Sequence, residues 1–200
     1  MILTNKIFQD TFIHCIDGVI PESKCKEYIE RFEPILSNNT DLNVAYKDEL
    51  FLNEHYKRND QSWIVYPDFE YWDEVEKVVQ KETEKYLKHY ELYPPHHLIE
   101  TWKYHIVCPY QGFHHFHHER GYKDHRRRLT WMIYLNEVNQ DEGTTEFLHQ
   151  HVKVNPKPGR MIIWPAEFTH KHRGNPMYTD VKHYITGWIL CKQWSEEDGK

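Results

Sequence analysis

Residues 112–119 read GFHHFHHE, four histidines and a glutamate within eight positions, and a basic run, HRRR, follows at 125–128. Imidazole and carboxylate are both ligands for first-row metals. On an extended chain, side chains two positions apart point the same way. If 112–119 is extended, His115, His117 and Glu119 share one face, and His114, Phe116 and His118 take the other. His117 and Glu119 can therefore present an imidazole and a carboxylate to one point. Two ligands hold a metal poorly, so a third must come from elsewhere; His149, His151, His170, His172 and His183 are the downstream candidates. A set of two histidines and one carboxylate leaves positions open on the metal for other molecules. A histidine-rich tract alone is also what a solvated surface looks like, so the surrounding elements have to decide.

Those elements divide the chain in two. In the first half, IFQDTFIHCID (7–17) reads as a strand, and Asp17-Gly18 as a turn. Pro21-Glu22-Ser23 opens a helix whose apolar residues Tyr28, Ile29, Phe32 and Ile35 fall at helical spacing, and Ser37-Asn38-Asn39 ends it. Residues 40–61 read as a long surface loop, WIVY (63–66) as a short strand, and 69–89 as a second helix with a stripe of Trp72, Val75, Val78, Val79 and Tyr86. After Pro94-Pro95 the pattern turns to short strands between turn signals. TWKYHIVC (101–108) alternates Trp102, Tyr104, Ile106 and Cys108 with Lys103, His105 and Val107. RLTWMIYLN (128–136) sets Leu129, Trp131, Ile133 and Leu135 against Thr130, Met132, Tyr134 and Asn136. TTEFLH, VKVNP, RMIIWP and KHYITGWILC follow. Six or seven such strands, with helices ahead of them, predict a mainly β chain with flanking helices, an α+β sandwich or barrel.

The chain has 200 residues, 39% hydrophobic and 15% aromatic, with 7 Trp, 14 Tyr and 9 Phe. That supplies a real core and fits one domain, with 1–95 as supporting strand and helices and 96–192 as the β core. A net charge of −6 argues against a nucleic-acid or anionic-membrane partner; the basic cluster Lys123 to Arg128 is local and interrupted by Asp124. Cys15, Cys25, Cys108 and Cys191 form no CxxC pair, which argues against a zinc ribbon or a disulfide framework. MILTNKIFQDTFIH has no signal-peptide pattern and no stretch approaches membrane-spanning length, so a cytoplasmic protein is expected.

From about residue 100 to 190 the chain resembles the 2-oxoglutarate/Fe(II)-dependent oxygenases, and is most similar to their small prolyl 4-hydroxylase-like members, some of them phage-encoded. The family's His-x-Asp/Glu corresponds to His117-His118-Glu119, and its Tyr-Leu-Asn strand end to Tyr134-Leu135-Asn136. Its Gly-Gly-x-Thr-x-Phe turn corresponds to Glu142-Gly143-Thr144-Thr145-Glu146-Phe147, with one glycine replaced. Pro156-Lys157-Pro158-Gly159 before MIIWP, and His172-Arg173-Gly174-Asn175-Pro176, complete the series, with Lys182 ten residues after His172. FIHCIDGVIPESKCKEYIERFE resembles the strand–turn–helix that often opens the family.

The resemblance implies a double-stranded β-helix, a cupin-like jelly roll with its metal inside one open end. It implies a dioxygenase that hydroxylates its substrate and releases succinate and CO2, with Fe(II), 2-oxoglutarate and O2 as cofactors and ascorbate as a further reductant. His117, Glu119 and His172 would hold the iron; the register of Gly174 and Pro176 selects His172 over His170. Glu119 stands where most relatives have aspartate, so its longer arm must fold back. Lys182 would pair with the far carboxylate of the cosubstrate, with Tyr134 and Thr130 as hydroxyl donors, and Arg127 would orient a peptide or acidic substrate. Trp164 and Trp188 would line or back the pocket, or else serve as ordinary core tryptophans. Peptidyl proline, another protein side chain and a small metabolite are all open as substrates. The alternatives are a zinc site on the same histidines, in which Lys182 and Tyr134 have no role, and a jelly-roll binding module without catalysis.

Overall fold

A computed structural model describes residues 6–8, 11–38, 45–47, 61–65, 70–92, 97–121 and 125–191. Short antiparallel strands dominate. β1 (Lys6–Phe8) and β2 (Ile13–Ile16) lead to α1 (Glu22–Asn38); β3 (Ala45–Lys47) and β4 (Gln61–Val65) lead to α2 (Trp72–His89). Then come β5 (His97–Val107), β6 (Phe113–His117), β7 (Arg127–Tyr134), β8 (Thr145–Phe147), β9 (Val152–Val154), β10 (Met161–Pro165), β11 (His172–Gly174) and β12 (Lys182–Cys191).

The strands form two sheets. The larger has the order β1-β2-β10-β7-β12-β5-β4-β3, and the smaller β6-β11-β8-β9. Non-sequential neighbours such as β10 beside β7 and β11 beside β6 carry the chain back and forth between the sheets, which is the jelly-roll arrangement. Alternation along each strand of the large sheet fills two cores. Trp131, Ile133, Met161, Ile163, Ile185 and Ile189 join Tyr28, Phe32, Val75, Val79 and Tyr86 of the helices in an outer core. Their chain neighbours Tyr134, Ile162 and Trp164 meet Phe147 and Val154 of the small sheet in an inner core. The faces predicted for 128–136 are those observed.

Packing sets local details. A Cβ on Gly187 would press into the Trp131 indole and against the Thr101 carbonyl, so β12 has no side chain where that tryptophan crosses it. In the Asp141-Glu142-Gly143 turn the two left-handed residues are Asp141 (φ 69°) and Gly143 (φ 55°). The first glycine of the family turn is therefore not needed at 142, because the other left-handed position falls one residue earlier, on an aspartate, which tolerates that conformation. The single strand expected over 7–17 is two strands, broken at a turn where Phe12 has φ 55°. Of the loop expected at 40–61, residues 45–47 are a strand paired with β4; 40–44 and 48–60 lie outside the described residues. Among the described residues no helix is long and apolar enough to cross a membrane.

Candidate metal centre

The small sheet brings the histidines together. β11 pairs antiparallel with β6 so that His172 stands opposite His117. Glu119 lies two residues beyond the end of β6, so the sheet ladder does not hold it. Instead the Ala166 carbonyl, just past β10, accepts the N–H groups of Glu119 (3.1 Å) and Arg120 (2.9 Å). The result is a cluster in which one ligand atom each from His117, Glu119 and His172 lie within 4.8 Å of one another. Glu119 Oε1 is 3.2 Å from His117 Nε2 and 3.5 Å from His172 Nε2.

Both imidazoles are fixed at the opposite nitrogen. His117 Nδ1 lies 3.1 Å from the His115 carbonyl, and His172 Nδ1 lies 3.0 Å from the His170 carbonyl. A carbonyl only accepts, so each Nδ1 carries the proton and each Nε2 presents a lone pair. Two nitrogen lone pairs and a carboxylate oxygen thus face one point, an arrangement that repels itself unless a cation sits there. A proton is a poor candidate at His172, where burial and the neighbouring His117 lower the pKa despite Glu119. Burial alone would raise Glu119; positive charge carried by the two imidazoles more than offsets it and holds the carboxyl well below its usual range, and a bound cation would fill the same role when the imidazoles are neutral. The donor set fits a divalent metal. Phe113 stacks on His117 at 3.6 Å between centroids, and Trp164 meets His172 edge-on at 4.9 Å, so neither ring is free to turn away.

The second oxygen of Glu119 has protein partners. Trp188 Nε1 donates to Oε2 at 3.0 Å, and Arg127 Nη1 lies 3.4 Å from the same atom and 3.3 Å from the Glu119 carbonyl. The Arg127 guanidinium stacks over the Trp188 ring at 3.6 Å. The longer arm of glutamate is accommodated by this grip. Arg127, expected to orient substrate, lies against the carboxylate with its side chain 19% exposed.

Farther along the inner face, Lys182 is 3% exposed, and its Nζ donates to the Gly143 carbonyl at 2.8 Å. Among the described residues no carboxylate lies within ion-pair distance of it. Burial pushes its pKa down from 10.5 to about 7. A lysine buried beside a single carbonyl is what an incoming carboxylate would compensate. Tyr134 stands opposite Tyr184 on the next strand, and its hydroxyl donates to Thr145 Oγ1 at 2.6 Å. Thr130 Oγ1 is buried with no hydrogen-bond partner among the described residues.

Sequence reasoning did not find the Trp188 bond to Glu119 or the Thr145 bond to Tyr134. The even spacing of 182, 184, 186 and 188 along β12 was the available signal for Trp188; Thr145 sat unremarked within a motif. The other candidate histidines lie apart. His170 is buried with Nε2 2.8 Å from the Thr11 carbonyl. His183 faces the outer core with Nδ1 2.7 Å from the Tyr104 hydroxyl. His115, His118, His149 and His151 are exposed, and His114 is half-buried.

Residues 102–190 match the family model of the 2OG-Fe(II) oxygenase superfamily. Solved structures share the fold. The viral collagen prolyl hydroxylase of Paramecium bursaria Chlorella virus-1, in complex with 2-oxoglutarate, aligns with a TM-score of 0.68 at 19% identity, covering 94% of this chain and 100% of that one. A Pseudomonas putida prolyl-4-hydroxylase aligns at 0.67 with 15% identity over 92% and 95%. A Trichoplax adhaerens prolyl hydroxylase, bound to a hypoxia-inducible-factor peptide fragment, aligns at 0.64 with 18% identity over 90% and 84%. No curated protein matches the chain in sequence.

Proposed function

We propose that this chain, a 2-oxoglutarate/Fe(II)-dependent dioxygenase of the superfamily matched by residues 102–190, hydroxylates prolyl residues in a peptide or protein. The observation that carries the site assignment is the convergence of His117 Nε2, His172 Nε2 and Glu119 Oε1, with both tautomers fixed from behind. In this reading those three residues hold the iron. Lys182 binds the far carboxylate of 2-oxoglutarate by a charge-assisted hydrogen bond. Tyr134, once its hydroxyl turns from Thr145, and Thr130 add donors to the same ligand. Bound iron with 2-oxoglutarate and O2 supplies an oxidant that hydroxylates the substrate as the cosubstrate is decarboxylated to succinate and CO2. The chain's own work is to fix the ligand atoms, exclude water with Trp164 and Phe147, and neutralise the cosubstrate.

Support for proline as the substrate is that three structures with this fold, aligned over nine-tenths or more of the chain, are prolyl hydroxylases, one of them with a bound peptide. Arg127, at the rim beside Glu119, is proposed to touch that peptide as well; unchanged substrate-coupled turnover in Arg127→Ala would remove it from the reading. Four free cysteines and a requirement for reduced iron fit a cytoplasmic setting.

The test is an anaerobic titration of metal-free protein with Fe(II) and then 2-oxoglutarate, following the visible charge-transfer band of the chelate. The band should be absent in His172→Ala and should need more cosubstrate in Lys182→Ala. No band in folded wild-type protein sinks the site assignment. For the substrate, proline-containing peptides should accelerate succinate release and gain one oxygen on proline. If none does so while other peptides or small metabolites do, prolyl specificity is wrong.

A further inference from the structure

Glu119 has one methylene more than an aspartate would, and a carboxylate on a longer arm can turn both oxygens toward a metal. Here it cannot do so without breaking contacts. Oε1 faces His117 and His172 at 3.2 and 3.5 Å, while Oε2 takes the Trp188 indole N–H at 3.0 Å. Trp188 is itself held. It is 8% exposed, Arg127 covers one face of its ring at 3.6 Å, and the Lys103 ammonium lies 5.7 Å from the ring centre. Arg127 also touches the Glu119 carbonyl and Oε2, so it ties the backbone, the carboxylate and the indole into one unit.

We infer that Trp188 is a positioning residue that caps Oε2, so that Glu119 gives the metal one oxygen and leaves an additional coordination position open. This rests on the assignment of His117, Glu119 and His172 as the metal ligands. A facial set with one-oxygen carboxylate ligation leaves room for a two-point chelating cosubstrate and one more ligand. A carboxylate using both oxygens takes up one of those positions. The indole N–H is suited to the task because it donates and never accepts, so it cannot itself become a ligand. Arg127 pins the indole plane and adds a longer, direct contact of its own to Oε2.

The experiment uses Mn(II) as the probe metal, without cosubstrate, in ¹⁷O-enriched water, where broadening of the electron paramagnetic resonance lines counts the water ligands. Wild type and Trp188→Phe are compared; phenylalanine retains an aromatic ring for Arg127 and removes the N–H donor along with part of the indole. The expected result is one water fewer in Trp188→Phe than in wild type, with Mn(II) still bound, and a weaker Fe(II)–2-oxoglutarate charge-transfer band. An equal water count in the two folded proteins overturns the inference and leaves the ligand assignment standing. Mn(II) binding that persists unchanged in His172→Ala overturns the assignment itself. Should Trp188→Phe fail to fold, the Zn(II)-loaded wild type carries the same question. The Trp188 indole N–H should exchange with solvent slowly, and at least tenfold faster in Zn(II)-treated Glu119→Ala. Equal exchange rates in those two proteins also overturn the cap.

Discussion

On β7, Leu129, Trp131 and Ile133 pack against the helices, while Thr130, Met132 and Tyr134 between them line the inside of the jelly roll. β12 does the same, with Ile185 and Ile189 outward and Lys182, Tyr184 and Trp188 inward. The outer face is held by apolar packing, although His14 Nε2 and Trp131 Nε1 are buried there with no hydrogen-bond partner among the described residues. Its largest side chains are wholly buried, and Phe32 stacks on Tyr104 at 4.3 Å. The inner face holds groups whose partners are incomplete among the described residues: a lysine with no anion, a threonine hydroxyl with no hydrogen-bond partner, and three lone-pair atoms aimed at one another. One sheet therefore carries stability on one side and binding capacity on the other, and the one-residue alternation of the strand keeps the two apart.

That separation predicts a double dissociation. His172→Ala should reduce 2-oxoglutarate turnover by more than about a hundredfold, since even the outer partners of metal ligands are worth about 10–100-fold. The melting of the metal-free protein should change little, because one of three mutually repelling lone pairs is gone. Trp131→Ala should do the reverse. Removing a wholly buried indole costs about 3–5 kcal/mol. The protein that remains folded in the cold should still form the charge-transfer band. Calorimetry and the anaerobic titration read both variants. If the band vanishes in folded Trp131→Ala, the two faces are coupled and the separation is wrong.

Lys182 sharpens the comparison, because it is an inner-face group that should weaken the fold. Replacing it with methionine keeps the stem and removes the charge. The 2-oxoglutarate requirement should rise about 10–100-fold, the worth of a charged hydrogen bond. The metal-free protein should become more stable near neutrality. The sign follows from the lowered pKa, about 7 in the folded chain against 10.5. Below about pH 7 the lysine is charged in both states and the burial penalty is felt in full. Between 7 and 10.5 the unfolded chain keeps a proton that the folded chain has lost, so stability rises with pH. Denaturant midpoints across that range should climb in wild type and climb less in Lys182→Met. Identical slopes would mean that Lys182 is not a buried, uncompensated charge.

The extent to which this was legible in the sequence follows the same division. Most strands from 101 onward and their faces could be read because an apolar outer face and a more polar inner face impose a two-residue period on 128–136 and 101–108. The proposed ligand residues could be picked out because His117, Glu119 and His172 lie in motifs whose spacing is local. What could not be read depends on contacts between distant segments. The Trp188–Glu119 bond spans 69 residues, and the Ala166 carbonyl that positions Glu119 lies just past β10, distant in sequence. The break in the first strand at Thr11–Phe12 leaves no mark in the local pattern either, since nothing in TFIH demands a left-handed phenylalanine. His170 shows the limit most clearly. As a residue type it is a plausible ligand, but its side chain is turned to the Thr11 carbonyl, and only its own carbonyl serves the site by holding His172.

The smallest predicted effect tests whether the outer face depends on packing alone. His14 lies on β2 against α2, with its ring 4.7 Å from Tyr86 and 5.2 Å from both His89 and Tyr90, and its Nε2 is buried with no partner among the described residues. Burial, with a smaller contribution from His89, pushes its pKa down to about 4. Between pH 4 and 6.5 the unfolded chain therefore binds a proton that the folded chain refuses, and stability falls as the pH falls through that range. His183, also lowered to about 4 by burial, adds a slope of the same sign. In His14→Phe the aromatic contacts remain and the titrating nitrogen is gone. Its advantage over wild type should be small at pH 7 and grow to on the order of 1–2 kcal/mol by about pH 5. Part of the acid loss should remain, from His183. Oxygenase turnover at neutral pH should not change, since His14 faces the helices. A His14→Phe protein with the full wild-type acid slope would mean that the imidazole reaches water in the folded state, and that the outer face is not closed where β2 meets α2.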